Sequence, residues 1–291
     1  MKIKWIAFLF LTMAAACVSA AVKAEYLELK ADEATRKAYF AQPVRMWGDK
    51  IYRGAADKYH ALLTLSNSKI SYVFHLFGDI KDGAAKNVRI GMMRPTQFNW
   101  YAGGFINISS GKNQLYSGTF SIKEIKGGED SGYVEMEFSD AVLNGTIRLE
   151  LANNDDKLLL SFTPSVQLPY MVNLIAYPGA YGDAKLRVRK MITNLGSVEG
   201  NVKKLTPQDF WIVFGDAYYD REQNRGAGCC AFLFNPKEIQ PGSMIRCGYA
   251  CQAYLYCRQK GKPFSLILWD FKGWSVRQAV DYMKKLDIKF E

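Results

Sequence analysis

The chain has 291 residues, 49% of them apolar and 23% charged, with a formal charge of +10. That composition supports a substantial core and excludes a disordered chain. The positive balance points to anionic partners such as acidic polysaccharides, phosphorylated glycans or lipid headgroups.

The first 24 residues read as a secretory signal peptide. Lys2 and Lys4 form a positive start, Ile6 to Met13 an apolar stretch, and Val18-Ser19-Ala20 and Val22-Lys23-Ala24 both fit a small-x-Ala cleavage site. The expected mature chain begins at Ala21 or Glu25 and works in the periplasm or outside the cell, where nucleic acid is a poor partner. Cys17 after Ala14-Ala15-Ala16 offers the alternative of a lipid tether. Removing 24 residues leaves 267, and the loss of three lysines lowers the charge to +7. Nothing later is apolar enough to span a bilayer, so no transmembrane segment is expected.

In chain order, Ala31 to Ala41 is a short helix candidate stopped by Pro43. Ala61 to Leu65, Ile70 to Phe77 and Asn87 to Met93 are β-rich runs. A meander follows. Phe120 and Ile122 alternate with polar residues, and Val134, Met136 and Phe138 alternate with Tyr133, Glu135 and Glu137. Ile147, Leu149 and Leu151 then face one way, and Leu158 to Phe162 closes the series. Gly127 to Asp130, Asn144-Gly145 and Asn153 to Asp156 supply the turns. Phe210 to Phe214, Cys229 to Phe234, Ile245 to Cys257 and Phe264 to Trp269 continue the β pattern. At the end, Ser275 with Gln278 makes a capping box, and Val276, Ala279, Val280, Met283 and Leu286 form one apolar helical stripe.

These elements predict a mainly β protein: a signal peptide over 1–24, then one large antiparallel β-sandwich over 25–291 with a C-terminal amphipathic helix. About sixteen strands without a linker or repeat suggest a supersandwich. The arrangement is similar to the supersandwiches of sugar-mutarotase-like and polysaccharide-lyase-like proteins, an analogy of architecture that no residue motif carries.

Motifs of known chemistry are few. Gly226-Ala227-Gly228-Cys229-Cys230-Ala231 has GxGxxA spacing, but Phe232-Leu233-Phe234 after it is strand-like, so the dinucleotide reading fails. No HExxH, GxSxG or phosphate loop occurs. His60 and His75 are the only histidines, each in a strand pattern that suits a structural role. Asp216, Asp220, Glu222 and Asn224 lack the spacing of a Ca²⁺ loop. No cofactor or metal is predicted.

Aromatic loops carry the stronger signal. Trp100 and Tyr101 lie in Phe98 to Gly104, Tyr177 and Tyr181 in Tyr177 to Gly182, and Tyr218 and Tyr219 precede Arg221. Rings beside Gly, Asn, Asp and Arg suit stacking on apolar sugar faces while polar neighbours bond hydroxyls. These seven residues are the expected carbohydrate-binding set. The leading functional expectation is therefore an exported carbohydrate-binding or glycan-associated protein. A polysaccharide-active enzyme is the alternative: a lyase with a Tyr or His base beside Arg or Lys, or a hydrolase with paired carboxylates. A structural envelope protein is the third.

Five cysteines remain beyond the leader: Cys229, Cys230, Cys247, Cys251 and Cys257. If Phe234 pairs with Ser243 in a hairpin, Cys230 falls opposite Cys247, and that disulfide is the expected one, with a one-residue slip favouring Cys229. Cys251 and Cys257 are expected as buried thiols on one face of a continuous strand.

Overall fold

The computed structural model describes residues 21–28, 57–179, 188–217, 228–258, 260–288 and 290. Residues 1–20 with Cys17, the 31–41 helix candidate, Tyr181, and the segment holding Tyr218, Tyr219 and Arg221 lie outside them.

The described residues are mainly β, with large antiparallel sheets, as the alternation predicted. The strands in order are β1 (Lys23–Glu28), β2 (Lys58–Ser66), β3 (Ser71–Lys81), β4 (Ala84–Arg94), β5 (Ile106–Ser110), β6 (Asn113–Gln114), β7 (Thr119–Lys126), β8 (Ser131–Ser139), β9 (Gly145–Ala152) and β10 (Leu158–Pro164). They continue with β11 (Met171–Ala176), β12 (Arg189–Thr193), β13 (Gly196–Ser197), β14 (Val202–Lys204), β15 (Trp211–Asp216), β16 (Gly228–Phe234), β17 (Met244–Cys247), β18 (Cys251–Tyr256) and β19 (Phe264–Lys272). One sheet has thirteen strands ordered β1-β2-β3-β4-β7-β8-β9-β10-β19-β16-β15-β12-β13. The second has six, ordered β14-β17-β18-β11-β5-β6.

Alternation explains which face each strand buries. On β8, Val134, Met136 and Phe138 enter the main core with Ile147, Leu149 and Leu151 of β9 and Leu158, Leu160 and Phe162 of β10. From the second sheet come Ile106, Ile108, Val172, Leu174, Ile245, Ala253 and Leu255. The opposite face of β8–β9 is polar. There the Arg148 guanidinium lies 3.5 Å from the Tyr133 ring centre and pairs with Glu135 and Glu150. The turn before β9 is closed by Asn144, whose side chain accepts from the Asp140 N–H at 2.6 Å. Positive φ is used instead at Asn154, in the next turn.

The helix α1 (Val276–Lys284) has Ser275 as N-cap in the capping box with Gln278. Its apolar stripe meets Trp211, Val213, Cys229, Ala231, Trp269 and Phe271 on the outer side of the large sheet, forming a second core. Gly228 opens a strand and not a helix, in keeping with the rejected dinucleotide motif.

Two cysteine expectations are corrected. β16 pairs with β15 and β19, whereas β17 pairs with β14 and β18. The connection between β16 and β17, with a 3-10 turn at Pro236–Glu238, crosses from one sheet to the other. Cys230 therefore lies opposite Phe214 and Asp270 and is a free, buried thiol. The run from Ile245 to Cys257 also breaks at Gly248-Tyr249-Ala250, which places Cys247 and Cys251 opposite each other across a hairpin. These two form the disulfide. Cys257 is a buried thiol as expected, and so is Cys229.

Candidate functional site

The segment between β4 and β5 is fastened to the sandwich from within. Asp270 on β19 accepts from the Thr96 N–H at 3.2 Å, the Thr96 hydroxyl at 2.8 Å and the Asn99 side-chain amide at 2.7 Å. Asn99 also donates to the Cys229 carbonyl, and the Cys230 thiol donates to the Asn99 carbonyl. A Cβ at Gly91 would stand 1.7 Å from the Ala102 oxygen, so the segment can lie this close to β4 only over glycine. Trp100 is consequently core: it is fully buried, its indole N–H donates to the Trp269 carbonyl at 3.0 Å, and its ring packs near Phe105 and Phe232. The expectation of an exposed stacking ring at Trp100 is thus corrected. Its N–H found a buried acceptor, which removes the reason for a tryptophan to stay at the surface.

One residue later the chain reaches the surface. The Tyr101 N–H donates to the Ile175 carbonyl at 3.0 Å, and the ring folds back over Gly103, where a Cβ would meet it at 2.4 Å. Tyr101 and Tyr177 meet edge to face at 4.8 Å between ring centres. Tyr177 meets Tyr249 in the same way at 5.3 Å. Two of the three predicted aromatic loops therefore converge. Tyr249, on the disulfide-closed hairpin tip and 68% exposed, is the member the sequence reading missed.

This cluster sits at one end of the outward face of the six-stranded sheet. Tyr177 continues the outward parity of Met171, Asn173 and Ile175 along β11, a track about 20 Å long at the usual strand rise. Met244, Tyr254, Asn173 and Asn107 form one row across four strands, each opposite the next. A second row joins Arg246, Gln252 and Ile175, and a third joins Tyr256, Met171, Ser109 and Gln114. Side chains within the face hold one another. Gln252 accepts from Arg246 Nε at 2.8 Å and from the Tyr254 hydroxyl at 2.7 Å. The Asn107 amide donates to Gln114. Among these strand positions none is a carboxylate. At the far end Ser109, Met171, Tyr256 and Gln240 line a groove of about 350 Å³, large enough for a sugar ring.

Other clusters serve the fold. Asp216 pairs with Arg189 at 3.3 Å in the interior and serves no Ca²⁺ loop. No group of residues that could hold a metal ion occurs among the described residues. His60 and His75 lie side by side, ring centres 4.5 Å apart, on the face of β2–β3 away from the main core. No helix of the described residues is long and apolar enough to cross a membrane.

Of the seven expected ligand residues, the structure brings together Tyr101 and Tyr177 and buries Trp100. Tyr254, Tyr256, Gln252, Arg246, Asn107 and Asn173 were not foreseen. The signal existed: Gln252, Tyr254 and Tyr256 alternate with Ala253 and Leu255, so burying the latter turns the former outward.

The arrangement defines the molecule as an antiparallel β-sandwich protein with an aromatic and amide-bearing sheet face. No family model matches the chain, and no curated protein matches it in sequence. Solved structures that match part of the chain include a chondroitinase AC lyase described in oligosaccharide complexes, at 8% identity and TM-score 0.40, covering 78% of this chain and 38% of that one. The GH36 α-galactosidase AgaB of Geobacillus stearothermophilus matches at 9% identity and TM-score 0.37, with 78% and 41% covered. An α-galactosidase of Lactobacillus brevis matches at 8% and 0.37, with 74% and 39% covered. The chain thus spans about two fifths of the length of these proteins.

Proposed function

We propose that this is an exported carbohydrate-binding protein whose ligand lies along the outward face of the six-stranded sheet. The observation that carries the reading is that face itself. Phenols and amides stand in register from a 350 Å³ groove to the Tyr101–Tyr177–Tyr249 cluster. Aromatic rings present apolar area to sugar faces, and amides both donate to and accept from hydroxyls. Strand positions without a carboxylate among the described residues of this face offer recognition but no general-acid pair, which favours binding over hydrolysis. The charged start, apolar core and small-residue cleavage sites of the leader support export.

One geometric feature favours a second reading. Arg246 lies 5.1 Å from the Tyr254 ring centre, which sets a cation beside a phenol, as a lyase base requires. A panel of soluble polysaccharides separates the two. Binding expects retention by at least one glycan without cleavage, reduced about tenfold by Tyr254→Ala or Tyr256→Ala at little cost in thermal stability. Release of unsaturated fragments that depends on Tyr254 replaces binding with lyase chemistry. A panel with no retained member, or retention indifferent to both substitutions, rejects the face as a glycan site.

A further inference from the structure

We infer that the ligand is an acidic glycan, and that its carboxylate or sulfate is held by Arg246 and Lys204 at one margin of this face. The inference rests on the binding reading above and specifies its substrate class. Val202 of β14 is opposite Arg246 of β17, and Lys204 is opposite Met244. Lys204 and Arg246 are therefore diagonal neighbours on the same side of the sheet, about 7–8 Å apart at the backbone.

Both side chains are exposed and available. Arg246 is held through Nε by Gln252, and its plane lies near the Tyr254 ring. Its terminal nitrogens make no hydrogen bond among the described residues, so the fork is fixed at its base and open at its tip. Arginine in that state suits a planar carboxylate or a sulfate. Lys204 has no ion pair among the described residues, in contrast to Lys203 beside it, whose Nζ is 3.3 Å from buried Asp209. The alternation of β14 thus sends one lysine into the structure and its neighbour to the ligand side.

The rest of the face agrees with this arrangement. A neutral sugar needs no cation, and a surface carboxylate within the rows would repel an acidic one. The face has two unneutralised cations at its margin and no acid in its strands. An acidic chain with its anion at Lys204 and Arg246 reaches the β11 track over Gln252 and Tyr254, which stand opposite Ile175 and Asn173.

The test uses the mature protein with polygalacturonate, alginate and chondroitin sulfate, and with methyl-esterified polygalacturonate and neutral galactan and xylan. The expected result is retention by an acidic member, loss on esterification where that pair is the one bound, and weakening with added salt. Arg246→Gln with Lys204→Gln then lowers affinity at least tenfold and flattens the salt dependence. Arg277→Gln with Lys284→Gln is the control: it removes two exposed cations at a separate groove lined by α1 and leaves affinity nearly unchanged. Binding of neutral glycans with equal or greater affinity overturns the acidic class and leaves the binding face standing. Equal losses in both double variants overturn the Arg246–Lys204 site in favour of general charge attraction. No retention at all overturns the binding reading and this inference with it.

Discussion

Tyr249 is 68% exposed and yet oriented, edge to face with Tyr177 at 5.3 Å. Removing such a ring takes contact area from a ligand and opens no cavity. Tyr249→Ala is expected to weaken glycan retention about tenfold, or about 1.4 kcal/mol, while unfolding free energy stays within about 0.5 kcal/mol. Trp100→Ala has the opposite signature. It empties a fully buried site and orphans the Trp269 carbonyl, at a cost of about 3–5 kcal/mol in denaturant unfolding. A stable Trp100 variant with lost binding would reverse the two assignments. The sequence could not separate these rings, because tryptophan and tyrosine each carry a polar group on an apolar body. Their neighbours did more: Tyr254 and Tyr256 are placed outward by Ala253 and Leu255, whereas Trp100 has no alternating frame around it.

Among the elements, the segment from Thr96 to Asn99 depends on one carboxyl group. Burial pushes the Asp270 carboxyl up to about 7, against the pull of the Thr96 and Asn99 hydrogen bonds and the charge of Lys272. Cys230 and Tyr72 also face it and are themselves raised by burial. The folded state then holds this proton more tightly than the unfolded chain does. Its contribution is complete below about pH 4 and is lost as pH rises through about 7. Asp270→Asn has no titrating proton at this position. The unfolding free energy of the wild type relative to this variant is expected to fall by a few kcal/mol between pH 4.5 and 7.5. A constant gap would mean that Asp270 ionises in the fold at its ordinary value. His75, depressed by burial and by His60, works in the opposite sense, losing its contribution as pH falls, and cancels in the comparison. This anchor was not legible in the sequence, since Asp270 and Thr96 are far apart and each reads locally as an ordinary polar residue. The capping box of α1 was legible because both of its partners lie within one turn.

At the scale of the molecule, the meander β7–β10 was readable strand by strand, because each turn joins neighbours in one sheet. The step from β16 to β17 was not. Its Asn-Pro and Pro-Gly punctuation suits a hairpin and a crossing between sheets equally well. Sheet edges tell the rest. β6, β13 and β14 are edge strands of two or three residues, too short to recruit another chain. β1 is the long edge: all six of its residues pair with β2, and Val22 before it is buried and bridged to Gly128. A leader cut after Ala24 would remove that bridge and the first two of the six residues of β1. N-terminal sequencing of the exported protein is therefore expected to begin at Ala21, and a start at Glu25 or at a lipidated Cys17 would contradict this. β2 beneath is nine residues long and carries three leucines. Stripped of residues 21–28, it would become an unpaired apolar edge. Such a chain is expected to self-associate in light scattering where the mature protein does not. Residues 21–28 thus guard the sheet against growing, one molecule onto the next.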